Sequence, residues 1–122
     1  MTRDYEHFNY SEFDQPRLPG SGNSFMHNSF LEMLDDAREI AQVPFVITSG
    51  YRTLKYNVKI GGTVNSSHCK GFAADIAVQG SKSRCKILRG LILAGFTRIG
   101  IGTDFIHADN DPGKPGEVTW LY

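Results

Sequence analysis

The run Ser66-Ser67-His68-Cys69-Lys70-Gly71-Phe72-Ala73-Ala74-Asp75 places an imidazole and a carboxylate on either side of a glycine. Residues Phe72 to Val78 read as a strand, so their side chains alternate between two faces. One face carries Ala73, Asp75 and Ala77; the other carries Phe72, Ala74, Ile76 and Val78. The small neighbours leave open volume above Asp75, where a metal or ligand could lie. Aspartate is depleted from strands, and a carboxylate there needs a partner. Gly71 permits a tight turn, by which His68 could fold back over the same face. In Phe105-Ile106-His107-Ala108-Asp109, a strand would put His107 and Asp109 on one face, with Ile106 and Ala108 packing behind. Two neutral imidazoles and one carboxylate offer zinc three donors and leave a fourth position for water. A metal so held can bring the pKa of that water to roughly 7 and polarise a carbonyl.

Other readings of the same residues stay open. A single histidine is more often a surface or hydrogen-bonded core residue than a ligand, and Asp75 could be a buried carboxylate paired with Arg52 or a backbone turn. His107-Ala108-Asp109 also opens like the iron site of 2-His-1-carboxylate oxygenases, but no histidine follows His107 to complete it. His7 and His27 have no comparable surroundings and read as solvated residues.

These residues need a scaffold, and 122 residues suit one compact domain, 1–122. Hydrophobic residues make up 40% and charged residues 21%, the balance of a globular chain able to bury one modest core. Thirteen basic residues offset thirteen acidic ones, which gives no electrostatic reason to expect nucleic acid or an anionic membrane as a general partner. No apolar run is long enough to span a bilayer, and the polar, aromatic first thirty residues show no secretory signal. Cys69 and Cys85 are too few for a disulfide framework and read as free thiols.

The segment Pro16 to Gly22 reads as a loop, preceded by an aromatic strap from Phe8 to Phe13. Phe30, Leu31, Leu34, Ala37, Ile40 and Ala41 recur at helical steps, which predicts a helix from about Met26 to Ala41 with Asn23 or Ser24 at its start. Phe45 to Ser49 reads as a buried strand, and Arg52 to Ser67 as loop. A second helix runs from about Ser83 to Ala94, ended by Gly95 and weakened by Gly90. Arg98 to Ile101, Phe105 to Asp109 and Val118 to Leu121 are further short strands. Without a regular βαβ rhythm the class is α+β, with helices packed on one mainly antiparallel sheet.

Taken in order, Ser49-Gly50-Tyr51-Arg52, Asn57, Gly61-Gly62, the S-x-H-x-x-G-x-A-x-D pattern ending at Asp75, Gly95-Phe96 and Phe105-Ile106-His107-x-Asp109 resemble the D-Ala-D-Ala metallocarboxypeptidases. That group includes vancomycin-resistance dipeptidases and phage endolysins that cleave L-Ala-D-Glu, and the hedgehog signalling domain shares its fold. The similarity runs from about Phe8 to Trp120. It implies a hedgehog/DD-peptidase-like fold and one zinc ion bound by His68, Asp75 and His107. It further implies Asp104 as general base, three residues before the last histidine ligand, and Arg52 as the arginine that steadies the scissile carbonyl. On one regular strand Asp104 and His107 would face opposite ways, so Asp104 is expected in a turn from Gly100 to Asp104, curling back over the metal. Asp109 is then a candidate to orient a ligand imidazole. Ser66, within the motif, is a second supporting candidate, and Asp109 or Glu117 would replace Asp104 if it proved dispensable. Cys69 is expected not to bind the metal, because a thiolate would make a closed, structural site. Trp120 and Tyr51 could line the substrate pocket, although core packing is the commoner job for both.

The implied activity is zinc-dependent hydrolysis of peptidoglycan stem or cross-link peptides, with a non-catalytic zinc-containing binding domain of the same fold as the alternative. The implied partner is a cell-wall peptide, with no nucleic acid and no membrane insertion. The short chain, with no signal or anchor in view, resembles a phage lytic enzyme, made in the cytoplasm and acting on the wall after release or export. The residues leave open which bond is cut and what oligomer forms.

Overall fold

A computed structural model describes residues 3–122. The chain runs through a 3-10 turn at Tyr10–Phe13, α1 (Ser21–Phe25), α2 (Asn28–Ala41), β1 (Ile47–Ser49), α3 (Leu54–Lys59), a second 3-10 turn at Ser67–Lys70, β2 (Ala73–Ala77), α4 (Ser81–Leu93), β3 (Arg98–Ile101), β4 (Phe105–Asp109) and β5 (Val118–Leu121). The strands form one sheet in the order β1-β2-β4-β3-β5. Its pairs are antiparallel except β3 with β5, so the sheet is mixed but mostly antiparallel, as α+β patterning predicts.

Strand alternation divides the sheet into two chemically different faces. Ala74, Ile76 and Val78, with Ile99, Ile106 and Ala108, point into a core closed by Phe30, Leu31 and Leu34 of α2 and Ile87 and Leu91 of α4. Each large side chain buried there contributes roughly 1.5–3 kcal/mol. The opposite face carries Asp75 and His107. Gly90, which counts against a helix on propensity, lies where α4 crosses α2: a Cβ there would overlap the Ala37 carbonyl oxygen and sit 2.8 Å from Ala41 Cβ. The missing side chain lets the two helices touch.

The N-terminal strap is pinned as expected. Phe8 and Phe13 are buried in the core, and the Asp35 carboxylate accepts the backbone N–H groups of Glu6 and His7. His7 is not a solvated residue, because its Nε2 lies 2.7 Å from Glu39. His27 also has a partner: its ring stacks on Phe72 at 4.0 Å.

Other expectations need correction. Asn23 and Ser24 fall inside α1, which begins within the stretch expected as a loop, rather than at the head of α2. Met26 is extended, and α2 starts at Asn28 with His27 at its N-cap. The strand expected over Phe45 to Ser49 shrinks to the three-residue edge strand β1, and Val46, just before it, is 57% exposed. Arg52 to Ser67 is not all loop. Thr53 caps α3 by accepting the N–H of Tyr56, but α3 buries only Asn57, so it has no apolar face to read. No helix among the described residues is long and apolar enough to cross a membrane.

Candidate metal centre

The β2–β4 register sets Asp75 directly opposite His107 on the face away from the helices. His68 comes from the 3-10 turn before β2. Ser66 Oγ accepts the His68 N–H at 3.2 Å, and Gly71 closes the turn with φ +78°. A side chain at Gly71 would also overlap the Phe25 carbonyl oxygen, so this position takes no larger residue. The turn swings the His68 ring over the sheet, 5.1 Å from the His107 ring. His68 Nε2 lies 3.3 Å from Asp75 Oδ1, and His107 Nδ1 lies 3.1 Å from the same oxygen. These donor atoms of His68, Asp75 and His107 all fall within 4.8 Å of one another.

The outward nitrogens of both rings are tied. His68 Nδ1 donates to the Gly50 carbonyl at 2.8 Å, which leaves Nε2 as the acceptor facing Asp75. His107 Nε2 donates to Asp109 Oδ2 at 2.7 Å, which aims Nδ1 inward. Asp109 is in turn held by Arg98 at 2.7 Å. Partners on the remote nitrogen that fix ring orientation and tautomer are the usual support of a metal-binding histidine. Two nitrogens and one carboxylate oxygen, converging and held from behind, fit a divalent metal with an open position.

The electrostatics reflect this crowding. Burial alone would raise the Asp75 carboxyl, but the contacts with His107 and His68 outweigh it and hold Asp75 well below the usual carboxylate range. Burial pushes His68 down, with Asp75 only partly opposing it, so its imidazole is neutral and able to coordinate. Burial also works against charge on His107, but Asp109 and Asp75 together raise it.

Arg52 reaches the site from the segment after β1. Its guanidinium bonds Asp75 Oδ2 at 3.3 Å, Asn57 at 3.1 Å and Ser49 at 3.0 Å. The Arg52–Asp75 pair and the histidine cluster thus coexist, one on each carboxylate oxygen. A cavity of about 560 Å³ opens over the cluster, walled by Arg52, Arg98, Lys114, Phe105, Trp120 and Tyr122. Ser66 lies on it as well. Tyr51 lies elsewhere, stacked on Phe25 at 4.6 Å.

Asp104 is not brought to the cluster. It sits exposed at the tip of the β3–β4 hairpin, outside the cavity wall. The tip is closed by the Gly102 N–H on the Phe105 carbonyl and drawn toward α4 by Arg84, which donates to the Gly102 and Thr103 carbonyls. The Asp104 carbonyl accepts the Val78 N–H. The turn expected to curl over the metal is therefore fastened on its other side. Cys69 stays out of the donor cluster, its sulfur 3.9 Å from the Thr53 carbonyl, and both cysteines are free.

Arg98, Lys114 and Tyr122 were missed in the sequence. Arg98 had a readable signal, the two-residue step that puts it on the Gly100 face of β3. Lys114 and Tyr122 had none, since loop geometry and the sheet edge place them.

A sequence model described as Peptidase M15 matches residues 6–109, most of the chain, and spans all three donor residues. The chain belongs to the peptidase M15 family. Its His-Asp-His cluster has the geometry of a zinc metallopeptidase active site, as the M15 assignment requires. No curated protein matches the chain by sequence.

Proposed function

We propose that this M15 peptidase hydrolyses peptidoglycan stem or cross-link peptides, as a D-Ala-D-Ala-type carboxypeptidase or endopeptidase on a hedgehog/DD-peptidase-like fold. One zinc ion would be held by His68, Asp75 and His107. The observation that carries the reading is the convergence of these three donors beneath an open cavity, with both outward ring nitrogens already occupied. Zinc in that place supplies Lewis acidity, lowering the pKa of a coordinated water to about 7 and polarising the scissile carbonyl.

The remaining work falls to the chain's own residues. Arg52, fixed by Asp75, Asn57 and Ser49, presents a guanidinium at the cavity wall to the negative charge that develops on the carbonyl oxygen. The resemblance assigns to Asp104 the task of taking the proton of the attacking water and returning it to the leaving amine, which requires the hairpin tip to move toward the cavity. In the structure it stands one residue before the cavity residue Phe105. Trp120, 5.5 Å from the His107 ring, forms an aromatic wall that keeps bulk water from the reacting groups. The place of action is the cell wall, reached after release or export, in the manner of a phage lytic enzyme.

One observation favours the alternative of a non-catalytic zinc-containing binding domain: Asp104 stands outside the cavity wall. Mass spectrometry of purified stem and cross-linked peptides incubated with the zinc-loaded protein separates the two. Hydrolysis is expected to release D-alanine, split the cross-link or divide L-Ala from D-Glu, and to stop with a chelator. Intact peptides in the presence of zinc-loaded protein would leave the binding domain.

A further inference from the structure

The cavity wall carries three cations, and only two of them have a carboxylate that no other lysine or arginine shares. Arg52 is paired with Asp75 and Arg98 with Asp109. Lys114 has no carboxylate to itself. Its Nζ donates to Ser67 Oγ at 2.9 Å and stands 3.8 Å from Asp111 Oδ2. That oxygen already accepts Ser67 Oγ at 2.8 Å and Lys70 Nζ at 3.1 Å, while Asp111 Oδ1 accepts the Gly113 N–H. One buried carboxylate thus serves two ammonium groups, and Lys70 holds it more closely. Lys114 retains positive charge facing the cavity beside Ser67, next in sequence to His68.

The ammonium is also held in place. Asp111 fastens the loop between β4 and β5 through the Gly113 N–H and through its own carbonyl, which accepts the Lys114 N–H. The Ser67 hydroxyl locks the side chain to the turn that bears His68. A lysine on a flexible surface loop would lose rotamer entropy on binding; one already ordered by two contacts loses less.

We infer that Lys114 is a substrate-specificity residue, the site at which this peptidase binds a carboxylate of its peptide substrate and so registers the chain against the metal centre. The inference rests on the hydrolase reading above. A carboxylate is the matching group because the ammonium shares its only carboxylate with Lys70, which lies closer to that oxygen.

The test is calorimetric titration of the zinc-loaded protein with N-acetyl-D-alanine and with its amide, in wild type, Lys114→Met and Lys114→Arg. A bound metal attracts carboxylates by itself, so the decisive quantity is the change in the acid-to-amide affinity ratio between variants. Loss of a hydrogen bond to a charged group is expected to lower that ratio roughly 10- to 100-fold in Lys114→Met. Lys114→Arg should keep most of it, and zinc content should be equal in all three. An unchanged ratio in folded, zinc-loaded Lys114→Met overturns the inference. Lys114-dependent binding of the acid without cleavage of any cell-wall peptide supports it while rejecting the hydrolase reading.

Discussion

Asp104 and Asp111 show how surroundings, not residue type, assign a carboxylate its work. Asp104 is exposed and untied, so replacing it should leave the fold and the metal unchanged. Asp104→Asn removes the basic oxygen at constant size and is expected to lower kcat about 10²- to 10⁴-fold with zinc still bound. Near-normal turnover in the zinc-loaded variant would move the proton shuttle elsewhere, with Asp109 and Glu117 next in line. Asp111 is buried among Ser67, Lys70, Lys114 and the Gly113 N–H. Burial would raise its carboxyl, but the Gly113, Ser67 and Lys70 hydrogen bonds hold it below its ordinary value. A carboxyl lowered on folding stabilises fully above its unfolded-state pKa and loses that contribution as pH falls through the folded value. Asp111→Asn should therefore cost about 1.5–3 kcal/mol in urea unfolding near neutral pH. That cost should shrink below about pH 4. A cost that does not change with pH would show that charge is not what Asp111 contributes.

At the scale of elements, the parts that position the metal were readable because alternation is a strong constraint. Once Phe72 to Val78 is a strand with Ala74, Ile76 and Val78 inward, Asp75 has to face the other way, and the same holds for His107 between Ile106 and Ala108. What failed had no such constraint. α3 buries one residue, β1 is an exposed edge, and the tip holding Asp104 is set by Arg84 from a distant helix. Gly90 is the opposite case, where local propensity opposes a helix that packing requires. Gly90→Ala gains helix propensity of about 1 kcal/mol but pushes a methyl into the Ala37 carbonyl, which no rotamer change relieves. Overpacking typically costs about 1–3 kcal/mol, so the variant is expected to be less stable than wild type by thermal unfolding. A higher melting temperature would show that α2 and α4 can separate without loss.

For the whole molecule, the sheet divides the work: one face holds the helices and the core, the other holds the donors and the cavity. Removing a donor should consequently cost the metal and leave the core standing. The pairing of Arg52 with Asp75, one of the open readings of the sequence, turns out to accompany the histidine cluster rather than replace it. The most direct test is the zinc content, after exhaustive dialysis, of wild type and of His68→Ala, Asp75→Ala and His107→Ala, each checked for native circular dichroism. Wild type should retain one zinc ion per chain, and each variant should lose it while remaining folded. Stoichiometric zinc in all three variants would contradict the assignment of the metal centre.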